Sequence, residues 1–196
     1  MPKPEIFIIA ALTEDRLLGF NDRMPWSPRH DLPSDMHWFV KHTTENIVLM
    51  GRRTYESIGE PLPNRINYVL SNDPVFAQRT SKLCGVHVFT SYEEAIAAAE
   101  DQRIFVIGGG MVYARALSSQ KHPPDKMLLT LVRPKESIVR QIDKVHRKKL
   151  VYFPAYDMAL WEPEYVEDEF TVHGHDTMKT RRVCLRRRVY ECANAE

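Results

Sequence analysis

Ile104-Phe105-Val106-Ile107-Gly108-Gly109-Gly110-Met111-Val112-Tyr113 is the stretch on which the fold turns. Four apolar residues follow one another without polar alternation, as in a strand covered on both faces of a parallel sheet. Three glycines end the run, and residues 111–117 resume as a candidate helix. Glycine lets the backbone come close to a ligand, and a helix N-terminus attracts phosphate. The spacing is neither that of a P-loop nor GxGxxG, and it stands too late in the chain for the first turn of a dinucleotide-binding unit. Taken by itself, the triplet reads equally well as a tight strand-to-helix turn.

Val48-Leu49-Met50-Gly51-Arg52-Arg53-Thr54-Tyr55-Glu56-Ser57-Ile58 has the same grammar, with two arginines where the helix begins. Guanidinium groups match phosphate bidentately, although an isolated pair of arginines also reads as solvated surface. Two such turns together point to a dinucleotide lying across the carboxyl edge of the sheet. Further apolar runs occupy residues 6–12, 47–50, 67–70 and 86–89, and candidate helices 34–43, 53–58 and 92–100 lie between them. This alternation predicts an α/β fold. The expectation is one domain over residues 1–196, with a central mixed, mostly parallel sheet of about eight strands, helices on both faces and a C-terminal antiparallel hairpin.

Residues 126–133, 161–171 and 180–190 read as longer strands, the last two flanking the turn-like His173-Gly174-His175-Asp176, whose histidines are expected to be solvated. Glu162, Glu164, Glu167, Asp168 and Glu169 lie on one arm; Arg181, Arg182, Arg186, Arg187 and Arg188 lie on the other. Antiparallel pairing sets these charges side by side. The arginines are therefore expected to be neutralised by their own hairpin and not to bind nucleic acid. A hydrophobic share of 43% and a charged share of 27% exclude collagenous, disordered and membrane-spanning chains. The net charge of +1 gives no overall field to recruit nucleic acid or membrane. Cys84, Cys184 and Cys192 are odd in number and make no disulfide framework, which fits a reducing compartment. The first apolar run is too short to span a membrane, and Glu14 and Asp15 follow it. A soluble, cytoplasmic monomer is expected. No spacing of His, Cys, Asp or Glu suggests a metal.

The stretch Leu18-Gly19-Phe20-Asn21-Asp22-Arg23-Met24-Pro25-Trp26 is a polar loop that carries large apolar groups, which would be costly to expose and therefore close over something. A helix follows, with Pro33 suited to its first turn. Met36, Phe39, Val40 and Thr43 form one stripe on it, and Asp35 sits at the edge of that stripe. An acid in a first helical turn is favoured by the macrodipole alone. A carboxylate in an apolar cleft has a raised pKa and is available for proton transfer. Asp31, before Pro33, is the competing acid and is expected in the loop. Pro61-Leu62-Pro63-Asn64-Arg65 presents one arginine on a proline-stiffened loop, suited to a carboxylate.

Together these segments resemble the dihydrofolate reductase family. The resemblance rests on Ile9-Ala10-Ala11-Leu12, Gly19, Met24-Pro25-Trp26, Leu32-Pro33-Ser34-Asp35, Trp38-Phe39, Met50-Gly51-Arg52, Thr54, Glu56-Ser57-Ile58-Gly59, Pro61-Leu62-Pro63, Arg65, Ile107-Gly108-Gly109-Gly110, Tyr113, Thr130 and Phe153-Pro154, in the family's order over residues 5–190. It implies reduction of 7,8-dihydrofolate by NADPH. Asp35 would hold the pterin and promote protonation, Thr130 would hydrogen-bond that carboxylate, and Trp26 would hold an ordered water. Ile9, Ala10, Phe39, Ile58 and Leu62 would line the substrate, and Arg65 would pair with the carboxylate of its glutamate tail. Ala11 would contact the nicotinamide amide. Gly108-Gly109 would be a cis peptide, and the helix start after it would receive the pyrophosphate. Arg52, Arg53 and Thr54 would meet phosphates, with Arg52 selecting NADPH through its 2′-phosphate. The cofactor side would also include Gly19, Met24, Gly51, Ser71, Ile107, Gly110, Met111, Val112 and Tyr113. Residues 18–26 would be a mobile lid.

The sequence departs from the family pattern in four places. Ser27-Pro28-Arg29-His30-Asp31 lengthens the connection after Trp26, Asn64 stands where glycine is usual, and Met111 stands where some members place a further cation for the cofactor. Residues 135–149 are longer and more basic than expected and could form a short surface helix. Two alternatives share the fold: an NADPH-dependent ribosylaminopyrimidine reductase, which lacks the Asp35, Phe39 and Arg65 set, and a non-catalytic nucleotide-binding subunit.

Overall fold

The structure is a computed structural model that describes residues 3–20, 23–146 and 149–189. Asn21 and Asp22 of the expected lid, residues 147 and 148 of the basic segment, Tyr190 and Cys192 lie outside the described residues. In chain order the strands are Ile6–Thr13 (β1), Leu17–Phe20 (β2), Ile47–Gly51 (β3), Ile66–Leu70 (β4), Val86–Phe89 (β5), Ile104–Gly108 (β6), Lys126–Arg133 (β7), Leu150–Tyr152 (β8), Trp161–Val166 (β9) and Lys179–Arg187 (β10). The helices are Pro28–Asp31 (α1), Pro33–Thr43 (α2), Arg52–Ile58 (α3), Pro74–Thr80 (α4), Tyr92–Ala97 (α5), Gly110–Ser118 (α6) and Glu136–Asp143 (α7).

Side chains on β1 alternate between two apolar clusters. Ile6, Ile8, Ala10 and Leu12 face one, which is completed by Tyr92, Ala95 and Ile96 of α5 and Val112, Tyr113 and Ala116 of α6. Phe7 and Ile9 face the other, completed by Tyr55 of α3, Phe76 of α4 and, at its margin, Trp38 and Phe39 of α2. A sheet covered on both faces needs apolar residues at every position, which is why β1, β3 and β6 read as unbroken runs. Eight strands form one sheet in the order β5-β4-β3-β6-β1-β7-β10-β9. The first six are parallel to their neighbours, and β10 and β9 continue the sheet antiparallel. This is the α/β architecture with a C-terminal hairpin that the alternation predicts.

Several local boundaries differ from expectation. β5 is an edge strand, and His87 is exposed instead of covered. The stretch expected as one strand over 161–171 ends at Val166, and Thr171 makes only an isolated bridge to Thr180. Glu167 ends it by turning its carboxylate back to accept from the Arg182 amide at 2.9 Å. The helix expected over 92–100 stops at Ala97, and Glu100 follows in a positive-φ conformation. β2 and β8 pair with each other in a second small sheet that the polar loop pattern hides. The Asp73-Pro74 signal for α4 is a legible one: the Asp73 side chain accepts from the Val75 and Phe76 amides, and Pro74 takes the first helical position.

Two features position the site. β3 pairs with β6, so the β3–α3 and β6–α6 turns emerge side by side. The first turn of α2 is held from a distance, since its N-cap residue Leu32 offers no side-chain oxygen. Instead Asp176, buried in the hairpin segment, accepts from the Ser34 amide at 2.8 Å and from the Ser34 hydroxyl at 2.5 Å. Among the described residues, no helix is long and apolar enough to cross a membrane.

Candidate active site

Asp35 occupies the first turn of α2, one residue beyond the Ser34–Asp176 clasp. Burial pushes its carboxyl above the usual carboxylate range, and the negative charge of Asp176 pushes the same way. The hydroxyl of Thr130 and the guanidinium of Arg182 act against that rise without cancelling it. Ala11, Thr130 and Arg182 form one row across β1, β7 and β10, so the sheet sets the spacing of the groups that face Asp35. Tyr113, buried on α6, donates its hydroxyl to the Ile9 carbonyl at 2.9 Å. Burial raises its phenol, and the charge of Asp35 adds to the effect. Desolvation therefore dominates this end of the cleft, and it favours a protonated carboxyl.

Apolar walls flank the acid. Phe39, Leu62 and Ile107 pack against the cluster that holds Ile9 and Met50. Ala10 belongs to the opposite cluster, and Ile58 is exposed at the end of α3. Arg65 is fixed from three directions: Nε donates to the Thr43 hydroxyl at 2.8 Å, Nη1 donates to the Pro63 carbonyl at 2.6 Å, and the guanidinium lies 5.7 Å from the Phe39 ring centre. Asn64 adopts φ 57°, so it serves the turn that glycine would otherwise make.

The described residues of the 17–26 segment reach the sheet through Trp26 and Met24, which share a cluster with Ala11. Phe20 and Arg23 exchange backbone hydrogen bonds at 2.9 and 3.1 Å. That closure brings the Arg23 carbonyl to 2.2 Å from where a Cβ on Gly19 would sit, so no larger residue fits there. Trp26 is buried with Leu32, Val132, Ile138 and Met178, and Met24 and Ile142 pack against that group. Ile138 and Ile142 belong to α7, so residues 136–143 of the basic segment form a helix that braces this loop. Trp26 Nε1 is buried without a protein hydrogen-bond partner. A buried donor of this kind is normally satisfied by water or a ligand.

At the other end, α3 and α6 begin at Gly51 and Gly109, and neither has a side-chain cap. Their first backbone N–H groups are thus unused by side chains and can receive an anion. The two turns touch: a Cβ on Gly109 would lie 3.3 Å from Thr54 Oγ1, and one on Gly51 would lie 3.2 Å from Val112. The Gly108–Gly109 peptide is cis. Gly110 backs onto Val151 and Tyr152 of β8, and Met111 is 89% exposed. Ser71 lies past β4, where its hydroxyl accepts from the Asp73 amide at 3.1 Å.

Three residues read otherwise from the sequence join the site's surroundings. Arg182 is not spent on the acidic arm by its side chain; its guanidinium stacks 4.8 Å from the Trp38 ring centre and reaches 3.4 Å from the Ser34 hydroxyl. Period-two alternation puts Arg182 on the face of fully buried Thr180, which is the signal that it turns inward. The hairpin does neutralise Arg186, which meets Glu162 at 2.6 Å. His173, expected to be solvated, is half-buried and pairs with Glu167 at 3.2 Å, whereas His175 is exposed. Asp31 closes α1 instead of lying in a loop. It accepts from the Ser27 amide, Thr177 and Lys135, which hold its carboxyl below the usual range. It is therefore a tethered structural acid. Among the described residues, no group of three or more His, Cys, Asp or Glu side chains could hold a metal.

A family described as dihydrofolate reductase matches residues 5–187. The chain is 34% identical over 161 residues to the dihydrofolate reductase of Haemophilus influenzae, covering 82% of this chain and 85% of that protein. It is 39% identical over 128 residues to a type 3 dihydrofolate reductase of Salmonella typhimurium, covering 65% of this chain and 71% of that one. Among solved structures, the dihydrofolate reductase of Enterococcus faecalis, complexed with NADP(H) and RAB-propyl, superposes with a TM-score of 0.74. The match covers 95% of this chain and 98% of that one, at 24% identity.

Proposed function

The chain belongs to the dihydrofolate reductase family, and from that premise we propose that it reduces 7,8-dihydrofolate to 5,6,7,8-tetrahydrofolate with NADPH. The observation that carries this reading is the Asp35 carboxyl, desolvated and raised in pKa between an apolar wall and the sheet. A single acid tuned upward in this way holds its proton to higher pH than an ordinary carboxyl does.

Asp35 accepts hydrogen bonds from the amino and ring N–H groups of the pterin and promotes protonation of its ring nitrogen. Thr130 orients that carboxylate from β7. Trp26 offers its unpartnered Nε1–H to a water that can relay a proton toward the pterin. Phe39, Ile58 and Leu62 wall the pterin and benzoyl ring, and Ile9 lines the floor, where Ala10 can offer only its backbone because its methyl faces the opposite cluster. Arg65, already held by Thr43 and Pro63, receives the tail carboxylate with little ordering left to do.

NADPH supplies the hydride when bound. The residues present fit it: glycine-opened turns, uncapped helix starts and adjacent cations lie at one sheet edge. Gly108, Gly109, Gly110, Met111, Val112 and Tyr113 form its cradle on α6. Gly51, Arg52, Arg53 and Thr54 hold phosphate from α3 and its start, and Ser71 supports them from just past β4. Ala11 and Ile107 lie on the nicotinamide side. Gly19 permits the tight closure of the loop, and Met24 and Trp26 help it exclude water. The residues assigned to this site need no second chain to complete them, in keeping with a monomer. Its cysteines Cys84 and Cys184 are free thiols, in keeping with a cytoplasmic setting.

NADPH oxidation on addition of 7,8-dihydrofolate tests the reading, with Asp35→Asn measured beside the wild type. Turnover that disappears in the variant supports it. Turnover by neither protein, or equal turnover by both, overturns it.

A further inference from the structure

Arg52 is the cation that this reading assigns to the 2′-phosphate, yet it is already engaged. Its Nη1 lies 3.1 Å from Asp73 Oδ2 and 3.7 Å from Glu56 Oε1. Glu56 is also 4.0 Å from Arg79. Two arginines and two carboxylates therefore cancel locally, at the place where a phosphate carrying almost two negative charges has to dock. Met111, on the neighbouring turn, adds no charge and is exposed.

Asp73 divides its two oxygens between separate tasks. Oδ1 caps α4, accepting from the Val75 and Phe76 amides at 3.0 and 3.2 Å. Oδ2 faces Arg52. All four charged side chains are partly open to solvent, so a ligand can reach them. A 2′-phosphate has to take Arg52 from Asp73 and then lie against the carboxylate it displaced. An unphosphorylated ribose meets no such repulsion, and its 2′-hydroxyl can donate to Oδ2. An acidic side chain that accepts from this hydroxyl is the usual means of binding NAD in dinucleotide folds.

Resting on the cofactor reading above, we propose that Asp73 is a specificity-determining residue that withholds Arg52 from the 2′-phosphate and admits NADH alongside NADPH.

Asp73→Asn is the informative substitution, because asparagine caps a helix as well as aspartate does while the charge is lost. The probes are 2′,5′-ADP and 5′-AMP, which differ only in the 2′-phosphate, titrated calorimetrically into the intact wild type and variant. The variant is expected to bind 2′,5′-ADP about twofold to fivefold more tightly, the range for one partly exposed charge pair, with 5′-AMP unchanged or weaker. In the Arg52→Gln background the gain should vanish. Direct titration of the wild type is expected to place NADH within about tenfold of NADPH. No gain for 2′,5′-ADP, a loss, an equal gain for both probes, or a wider gap between the two dinucleotides overturns the proposal. If neither probe binds the wild type, the cofactor reading of this edge fails with it, an outcome distinct from binding without discrimination.

Discussion

The two ends of the site use charge in opposite ways. Around Asp35 the ionisable groups are few, and burial, opposed by Thr130 and Arg182 and reinforced by Asp176, raises the carboxyl. Around Arg52 the charges are partly exposed and paired with each other, so they neutralise one another before any ligand arrives. Coulomb interactions are strong in the first setting and screened in the second. A substitution in the cleft should therefore change the chemistry, whereas one at the open edge should change affinity by small factors.

The sharpest way to break this contrast is Asp35→Asn. Loss of a positioned acid is expected to lower turnover by about 10²–10⁴-fold. The deficit should narrow at low pH, where solvent can supply the proton, and a full pH profile of kcat checks both points. A deficit no larger than that of an edge variant would put the two ends on the same footing. Arg65→Leu comes next. It removes a charged hydrogen-bonding group worth about 1.5–3 kcal/mol, so the KM for dihydrofolate should rise about 10–100-fold with the NADPH constant unmoved. A rise in the NADPH constant instead would place the tail elsewhere.

The same contrast explains what the sequence made legible. The parallel core was readable because strands buried on both faces leave unbroken apolar runs, as in Ile104–Gly108. The two glycine turns were readable because backbone approach requires glycine. The short β2–β8 sheet was not, since Leu17–Phe20 and Leu150–Tyr152 acquire meaning only when paired across the chain. The environment of Asp35 was half-legible. Its place on the α2 stripe follows from helical spacing, and alternation turns Arg182 inward, but that Asp176 and Arg182 meet α2 depends on how the distant hairpin segment packs, which nothing near Asp35 announces. Arg52 and Asp73 are adjacent only because β3 pairs with β4.

The brace formed by α7 sharpens the comparison from the side of the loop. Ile138 is 7% exposed and packs with Trp26 and Leu32. Ile138→Ala is expected to cost about 2 kcal/mol, at the low end for a buried isoleucine because the helix is short and peripheral. Hydrogen exchange should show residues 24–26 and 138–142 losing protection together. Loss confined to α7 would mean that the loop holds its own conformation and that the helix is a passenger.

The smallest expected effect is also the most discriminating. Arg182→Gln removes a cation that favours the ionised form of Asp35, so the carboxyl should rise further above its ordinary range. More of it is then protonated at a given pH, and the fall of turnover on the alkaline side should move to higher pH. Stability follows with a definite sign. A group whose pKa is raised by folding binds more protons in the native state than in the unfolded one, so its contribution is fully present below the unfolded value and is lost as pH rises through the folded one. The variant should therefore lose stability relative to wild type as pH increases from the acid range. The stack of Arg182 on Trp38, 4.8 Å from the ring centre, is lost as well, but that loss is the same at every pH. A constant offset would assign Arg182 to packing alone. An offset that opens with pH, closes again in Arg182→Lys and is accompanied by the shifted profile would show that the hairpin, whose arginines otherwise look like surface charge, tunes the acid at the centre of the cleft.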